Sequence, residues 1–248
     1  MEYLIVFLVS AFAALMQAAV GFGFAVVFTP LLALAVDPRD AIALSLILSM
    51  SLSVVLYVSD TPRARLATVL PMFLAATLVT PLGVYVLAVA DEKVLRIAIG
   101  IGVLASVVGH FVLPHPAEER PERMVQTLGI GMVSGVMRGA TGMGGPPVVI
   151  YEHWRGAPTM SIRRRLLAYF ALSGVAGTSI AAGWGLFTDN PVFTGDTLLH
   201  SLAGIPAVFI AIYGGRWIRP RLSDFWFRML SMGLLVFMGA VSILGAVR

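Results

Sequence analysis

The chain has 248 residues, of which 58% are hydrophobic and 12% charged, with a formal net charge of +4 and no cysteine. A soluble domain carries roughly 45–50% apolar and about 25% charged residues, so this composition excludes a water-soluble globular protein and implies an all-α polytopic membrane protein. Without cysteine there are no disulfides, zinc–thiolate sites or thiol nucleophiles, and arginine-rich loops suit anionic lipid headgroups better than nucleic acid.

A membrane helix takes roughly 20 apolar residues. Eight apolar segments satisfy or approach that length, at about 3–35, 41–59, 66–90, 94–113, 124–151, 166–187, 195–215 and 225–247. The first has Glu2 ahead of it and no Lys or Arg, and it runs well past the length of a signal-peptide core. It is therefore expected to be a membrane segment and not a cleavable leader. The most charged and proline-rich joint is Pro114 to Arg123. It is expected to link two homologous four-segment repeats, residues 1–113 and 124–248, with 114–123 between them.

The repeats align on glycine. Segment one contains Gln17-Ala-Ala-Val-Gly21-Phe22-Gly23-Phe24, and segment five contains Arg138-Gly-Ala-Thr141-Gly142-Met143-Gly144-Gly145, then Pro146-Pro147. Gly142 follows Gly21 by roughly half the chain, and Pro-containing joints follow both, which supports duplication. Segments one and five hold about 33 and about 28 residues. A straight helix of 30 residues is roughly 45 Å long, against a hydrocarbon thickness of roughly 30 Å. Each is either a long, tilted, kinked helix or a re-entrant hairpin turning at its glycines. Eight full crossings would make the repeats parallel, and two hairpins would make them inverted. Both alternatives put most Lys and Arg on one side and the termini on the other. The inverted arrangement is preferred, although charge counting alone does not separate the two.

Arg138 is the sharpest candidate for chemistry. It lies fourteen positions after Met124, roughly 21 Å along a helix and deep in the hydrocarbon. An intramembrane charge is expensive and by default functional, and a guanidinium presents a planar fork of donors suited to carboxylate or sulfur-oxyanion groups. The bland alternative is a structural arginine bonded to carbonyls freed at the break. Gln17 is its aligned counterpart and can either complete a pocket or join two helices. Glycine lets each helix break, and a half-helix restarting after Pro146-Pro147 points free amides and its positive end at the break. Such a terminus suits an anion, and two broken helices in matching positions are a transporter pattern. The alternative is that the glycines only allow close packing.

Other polar groups are weaker candidates. Asp196 and His200 share a helix face as a proton relay or as an interfacial helix start, and His110 reads as interfacial. Ser45, Ser49, Ser51 and Ser53 read as packing serines, Arg163 to Arg165 as a positive-inside anchor, and Trp184, Trp217 and Trp226 as interface anchors. No metalloprotease, hydrolase-elbow or P-loop motif is present, so no enzymatic activity and no cofactor are expected.

The stretch Gln17-Ala-Ala-Val-Gly-Phe-Gly-Phe-Ala25 with Pro30 after it, and Gly139-Ala-Thr-Gly-Met-Gly-Gly-Pro-Pro147, resemble the glycine motifs of the TauE/SafE family. The two-half layout extends that resemblance over nearly the whole chain. It implies a multi-pass permease of the bacterial inner membrane that moves sulfite, sulfoacetate or other sulfonates, often outward. Phe22 and Phe24 stand where smaller residues are common, so the two breaks differ.

These readings combine into an expected secondary transporter, an exporter of a small anion working by alternating access. Arg138 would pair with the anion. Amides of Gly142, Met143, Gly144 and Gly145, and of Gly21, Phe22, Gly23 and Phe24, would add donors, while Gln17 and Thr141 would shape the pocket. The partners are the substrate and the lipid bilayer, with a coupling proton and a homodimer left open and nucleic acid excluded. The rivals are a passive anion channel and a non-transporting membrane-assembly subunit.

Overall fold

The computed structural model describes residues 2–112, 119–188 and 190–218. Every regular element among them is a helix. In chain order they are α1 (Glu2–Val20), α2 (Phe24–Leu32), α3 (Pro38–Ser59), α4 (Leu70–Val89), α5 (Glu92–Val112), α6 (Met124–Thr141), α7 (Gly145–Arg155), α8 (Thr159–Trp184) and α9 (Gly195–Ile218). A single 3-10 turn, Leu66–Thr68, leads into α4. Within α1, α3, α4, α8 and α9 there are stretches long and apolar enough to cross a membrane. The expected eighth segment and Trp226 lie outside the described residues, as do 114–118 of the expected linker and the side chain of His110.

Both expected breaks fall at glycine. Gly21 and Gly23 hold φ of 95° and 109°, and Gly142 holds 73°, a region that other residues enter only at a cost. Gly142 ends α6 in a left-handed cap, its N–H donating to the Arg138 carbonyl. Pro146 and Pro147 then occupy the first turn of α7, where missing N–H groups would have had no helical partner. The later elements start and stop elsewhere than expected. The fifth segment continues to Arg155, where Gly156 caps it at φ 73°. The sixth begins at Thr159, so Arg163 to Arg165 lie inside α8 and not in a joint.

Small residues set the packing. A Cβ at Gly135 would come within 2.2 Å of the Ala76 carbonyl oxygen, and one at Gly139 within 2.5 Å of the Thr80 carbonyl oxygen. The α4 and α6 backbones therefore nearly touch, as small residues allow in a bilayer. Matching contacts of Met72 with Gly131 and Thr80 with Gly139 make the two helices parallel. α1 and α9 are also parallel, with Glu2 beside His200 near their starts and Ala18 against Gly215 near their ends. α3 and α8 cross between these pairs and run antiparallel, with Met50 against Gly174 and the Thr178 hydroxyl donating to the Leu46 carbonyl at 3.0 Å.

Each broken pair has its two outer ends in one neighbourhood. Glu2 in α1 and Leu34 to Asp37, just past α2, line one cavity of about 550 Å³. Arg155 at the end of α7 pairs with Glu119 and Glu122, just ahead of α6, at 3.3 and 3.7 Å. The first neighbourhood is rich in carboxylates, with Asp37, Asp40, Glu92 and Asp196 around the same cavity. The second gathers arginines. Arg155 and Arg165 share Glu122 and Glu152, and Arg120 lies over the Trp154 ring.

Candidate functional site

The two breaks meet. A small cavity of about 20 Å³ is lined by Gln17, Gly23, Phe24, Ala25 and Val26 from the first broken helix, and by Arg138, Gly142, Gly144 and Gly145 from the second. Ser49 and Ser53 of α3 and Phe170 of α8 complete its wall.

The first break is held by its own glutamine. Gln17 is 3% exposed. Its Oε1 accepts from the Phe24 amide at 3.1 Å and its Nε2 donates to Ser53 Oγ at 3.0 Å. The leading amide of α2, which no helix carbonyl can reach, is therefore satisfied by a side chain seven residues upstream. Phe24 stacks on Phe28 with ring centroids 4.9 Å apart, and both are fully buried.

The second break is held by hydroxyls. Tyr169 donates to Ser134 Oγ at 2.7 Å, and Ser134 donates to the Gly144 carbonyl. Thr141 Oγ1 donates to the Met137 carbonyl at 2.8 Å and accepts from the Met143 amide at 3.3 Å. Arg138 is treated differently. Its side chain threads between α7 and α8: a Cβ at Gly144 would lie 3.0 Å from its Nε, and one at Gly177 would lie 2.9 Å from its Cδ. The residue is 5% exposed, and its Nε and Nη1 have no hydrogen-bond partner among the described residues. A buried donor left unmade costs about 1–3 kcal/mol, more when charged. The cavity wall thus carries a cation with two open donors.

Seven of the residues expected at the site line this cavity: Gln17, Gly23, Phe24, Arg138, Gly142, Gly144 and Gly145. Gly21, Phe22, Thr141 and Met143 are not among its lining residues. Gly21 sits on the aliphatic stem of Arg163, Phe22 packs against a separate apolar cluster that includes Val69 and Met72, and Met143 is fully buried in the main core. Thr141 spends its hydroxyl on its own helix. Ser49, Ser53 and Phe170 were not expected here. The four-residue spacing of Ser45, Ser49 and Ser53 was the available signal, since it puts them on one face of α3. Ser45 lies against Gly142 on that face. Asp196 and His200 are far from the cavity: His200 Nδ1 contacts the Asp196 carbonyl at 2.8 Å, and its ring stacks on Tyr3.

A family model described as Sulfite exporter TauE/SafE matches residues 6–242, nearly the whole chain. No curated protein and no solved structure matches the chain. The chain belongs to the TauE/SafE family and is a multi-pass membrane protein of the sulfite-exporter type of transporter.

Proposed function

We propose that this member of the TauE/SafE family is a secondary exporter of a small sulfur oxyanion or organosulfonate, sulfite and sulfoacetate being the leading classes, across a bacterial inner membrane. The observation that carries the reading is Arg138, buried at the meeting point of two broken helices with two donors open. An oxyanion offers several acceptors to such a fork and neutralises a charge that is otherwise expensive in the hydrocarbon. Gln17, Ser49 and Ser53 border the same space and would contribute neutral polar contacts.

We further propose that the chain is built from two inverted repeats whose first helices are re-entrant hairpins, α1–α2 and α6–α7. The support is the pairing of ends: Glu2 with Leu34 to Asp37 around one cavity, and Arg155 with Glu119 and Glu122 on the other side. Hairpins entering from opposite faces bring half-helix starts together near mid-membrane, the usual transporter arrangement. The arginine-rich end would be cytoplasmic by the positive-inside rule, so the acidic cavity of about 550 Å³ would be an outer vestibule.

The central cavity of about 20 Å³ has room for one water molecule, which needs roughly 10–15 Å³. Sulfite has four heavy atoms and does not fit until the walls part. A site too small for its substrate until the walls move favours a transporter over a passive channel. The testing experiment is a binding screen of purified protein against sulfite, sulfoacetate, other sulfonates and carboxylates, with Arg138→Met as the control. Binding that persists in that variant would overturn the assignment of the site.

A further inference from the structure

The central cavity is flanked differently towards its two ends. Along α3 the vestibule reaches in as far as Leu44, and the cavity begins at Ser49. Those five residues span roughly 7.5 Å, little more than one helical turn. In the other direction α3 runs on from Ser53 to its end, and there an ion pair bridges the helices. Asp60 Oδ1 accepts from Arg163 Nη1 at 2.8 Å, with each side chain 8% exposed. The pair ties the end of α3 to the first turns of α8. The arginine stem also carries the tip of the first break: a Cβ at Gly21 would lie 2.7 Å from Arg163 Cγ. One ion pair therefore joins α1, α3 and α8 on the arginine-rich side, and neither partner lines the cavity.

We infer that Asp60 and Arg163 form the inner gate, closed in this state, whose opening releases the tip at Gly21 and admits the substrate from the cytoplasmic side. A buried ion pair is a poor way to gain stability, because desolvation offsets much of its attraction. It is a good way to hold two discrete arrangements, since separated partners regain their hydration. An arriving oxyanion presents Arg163 with the same acceptor chemistry as the Asp60 carboxylate and can take its place. The inference rests on reading the central cavity as the substrate site, but its test does not use the substrate.

The chain has no cysteine, so Ser53→Cys introduces a single thiol in the cavity wall. Its reaction with a membrane-impermeant methanethiosulfonate is followed in inside-out and right-side-out vesicles. With the gate intact, labelling from the cytoplasmic face is slow. Asp60→Ala raises that rate at least tenfold from this face alone, and exchanging the pair as Asp60→Arg with Arg163→Asp restores the slow rate. An unchanged rate in Asp60→Ala, or an equal rise from both faces, overturns the gate. If Asp60→Ala does not reach the membrane, Asp60→Asn is read by the same criteria. Arg138→Met in the Ser53→Cys background separates the two readings. It abolishes anion binding if the site assignment holds, and Asp60→Ala still raises the cytoplasmic labelling rate at least tenfold in that background.

Discussion

Replacing Arg138 with methionine tests the proposed site with the least collateral damage. Methionine keeps an unbranched stem to fill the passage between Gly144 and Gly177 and removes the guanidinium. Hydrogen bonds to charged groups contribute about 1.5–3 kcal/mol each. Nε and Nη1 are both open, so their loss removes about 3–6 kcal/mol of anion binding. At 1.4 kcal/mol per tenfold, that is a fall in affinity of about 10²- to 10⁴-fold. The ligand-free protein should respond in the opposite sense, because the substitution also removes two buried donors that no described residue satisfies. Its melting temperature in detergent should hold or rise. Titration calorimetry with sulfite and a short organosulfonate measures the first effect, and thermal denaturation without ligand measures the second. A dissociation constant within threefold of the native value would refute the site. A collapse of ligand-free stability with binding retained would make Arg138 a structural arginine. Arg138→Lys should fall between, since lysine keeps the charge without the planar fork.

Three further outcomes follow from the same geometry. Gly177→Ala should leave stability unchanged or raise it by up to about 1 kcal/mol through helix propensity; its methyl, at 2.9 Å from Arg138 Cδ, displaces the guanidinium. Efflux from vesicles should fall at least tenfold, and transport above half the native rate would count against the role given to that side chain. Gln17→Met strands the Phe24 amide and Ser53, and should destabilise the fold by about 1–3 kcal/mol. Ser53→Ala, which removes one of those contacts, should cost less, and denaturation midpoints for the two compare them directly. Gly135→Ala sets a methyl 2.2 Å from a backbone carbonyl of α4 that cannot yield. It should abolish a monodisperse folded peak in size-exclusion chromatography, whereas Gly129→Ala, with open space around it, should not.

The parts of the site legible in the sequence are those with a local physical signature. Gly21, Gly23 and Gly142 announce backbone that only glycine adopts cheaply, and each holds a positive φ. Arg138 announces itself by its depth, because a charge roughly 21 Å into an apolar helix requires a reason. What was not legible depends on partners remote in the chain. Ser49 and Ser53 share a face by spacing, but nothing local says whether that face meets a cavity, another helix or lipid. Arg163 to Arg165 read as a surface anchor because a run of arginines beside an apolar segment usually is one. In the fold α8 starts early enough to take them in, Arg163 turns to Asp60 some hundred residues upstream, and Arg165 turns to Glu152 and Glu122. Tyr169 had no signature at all; its hydroxyl matters because it holds Ser134, which in turn holds the Gly144 carbonyl.

The two breaks are alike in backbone and opposite in chemistry, and that difference bears on the transport cycle. At the first, the leading amide of α2 is filled by Gln17, and the cavity lining from this half carries no charged side chain. At the second, two prolines have removed amides from α7 and hydroxyls hold the turn, while Arg138 keeps two donors open. On the proposed reading, the second break binds the anion and the first covers it. The cover is the half that rests on Arg163 through Gly21. The binding half is anchored by the near contact of α6 with α4, and α1 of the covering half packs as closely on α9 through Ala18 and Gly215. Motion should therefore carry α1–α2 with α9 as one body against α6–α7 with α4 as another. A cross-link between α4 and α6 should be tolerated by transport, and one between the Gly21 turn and the start of α8 should stop it.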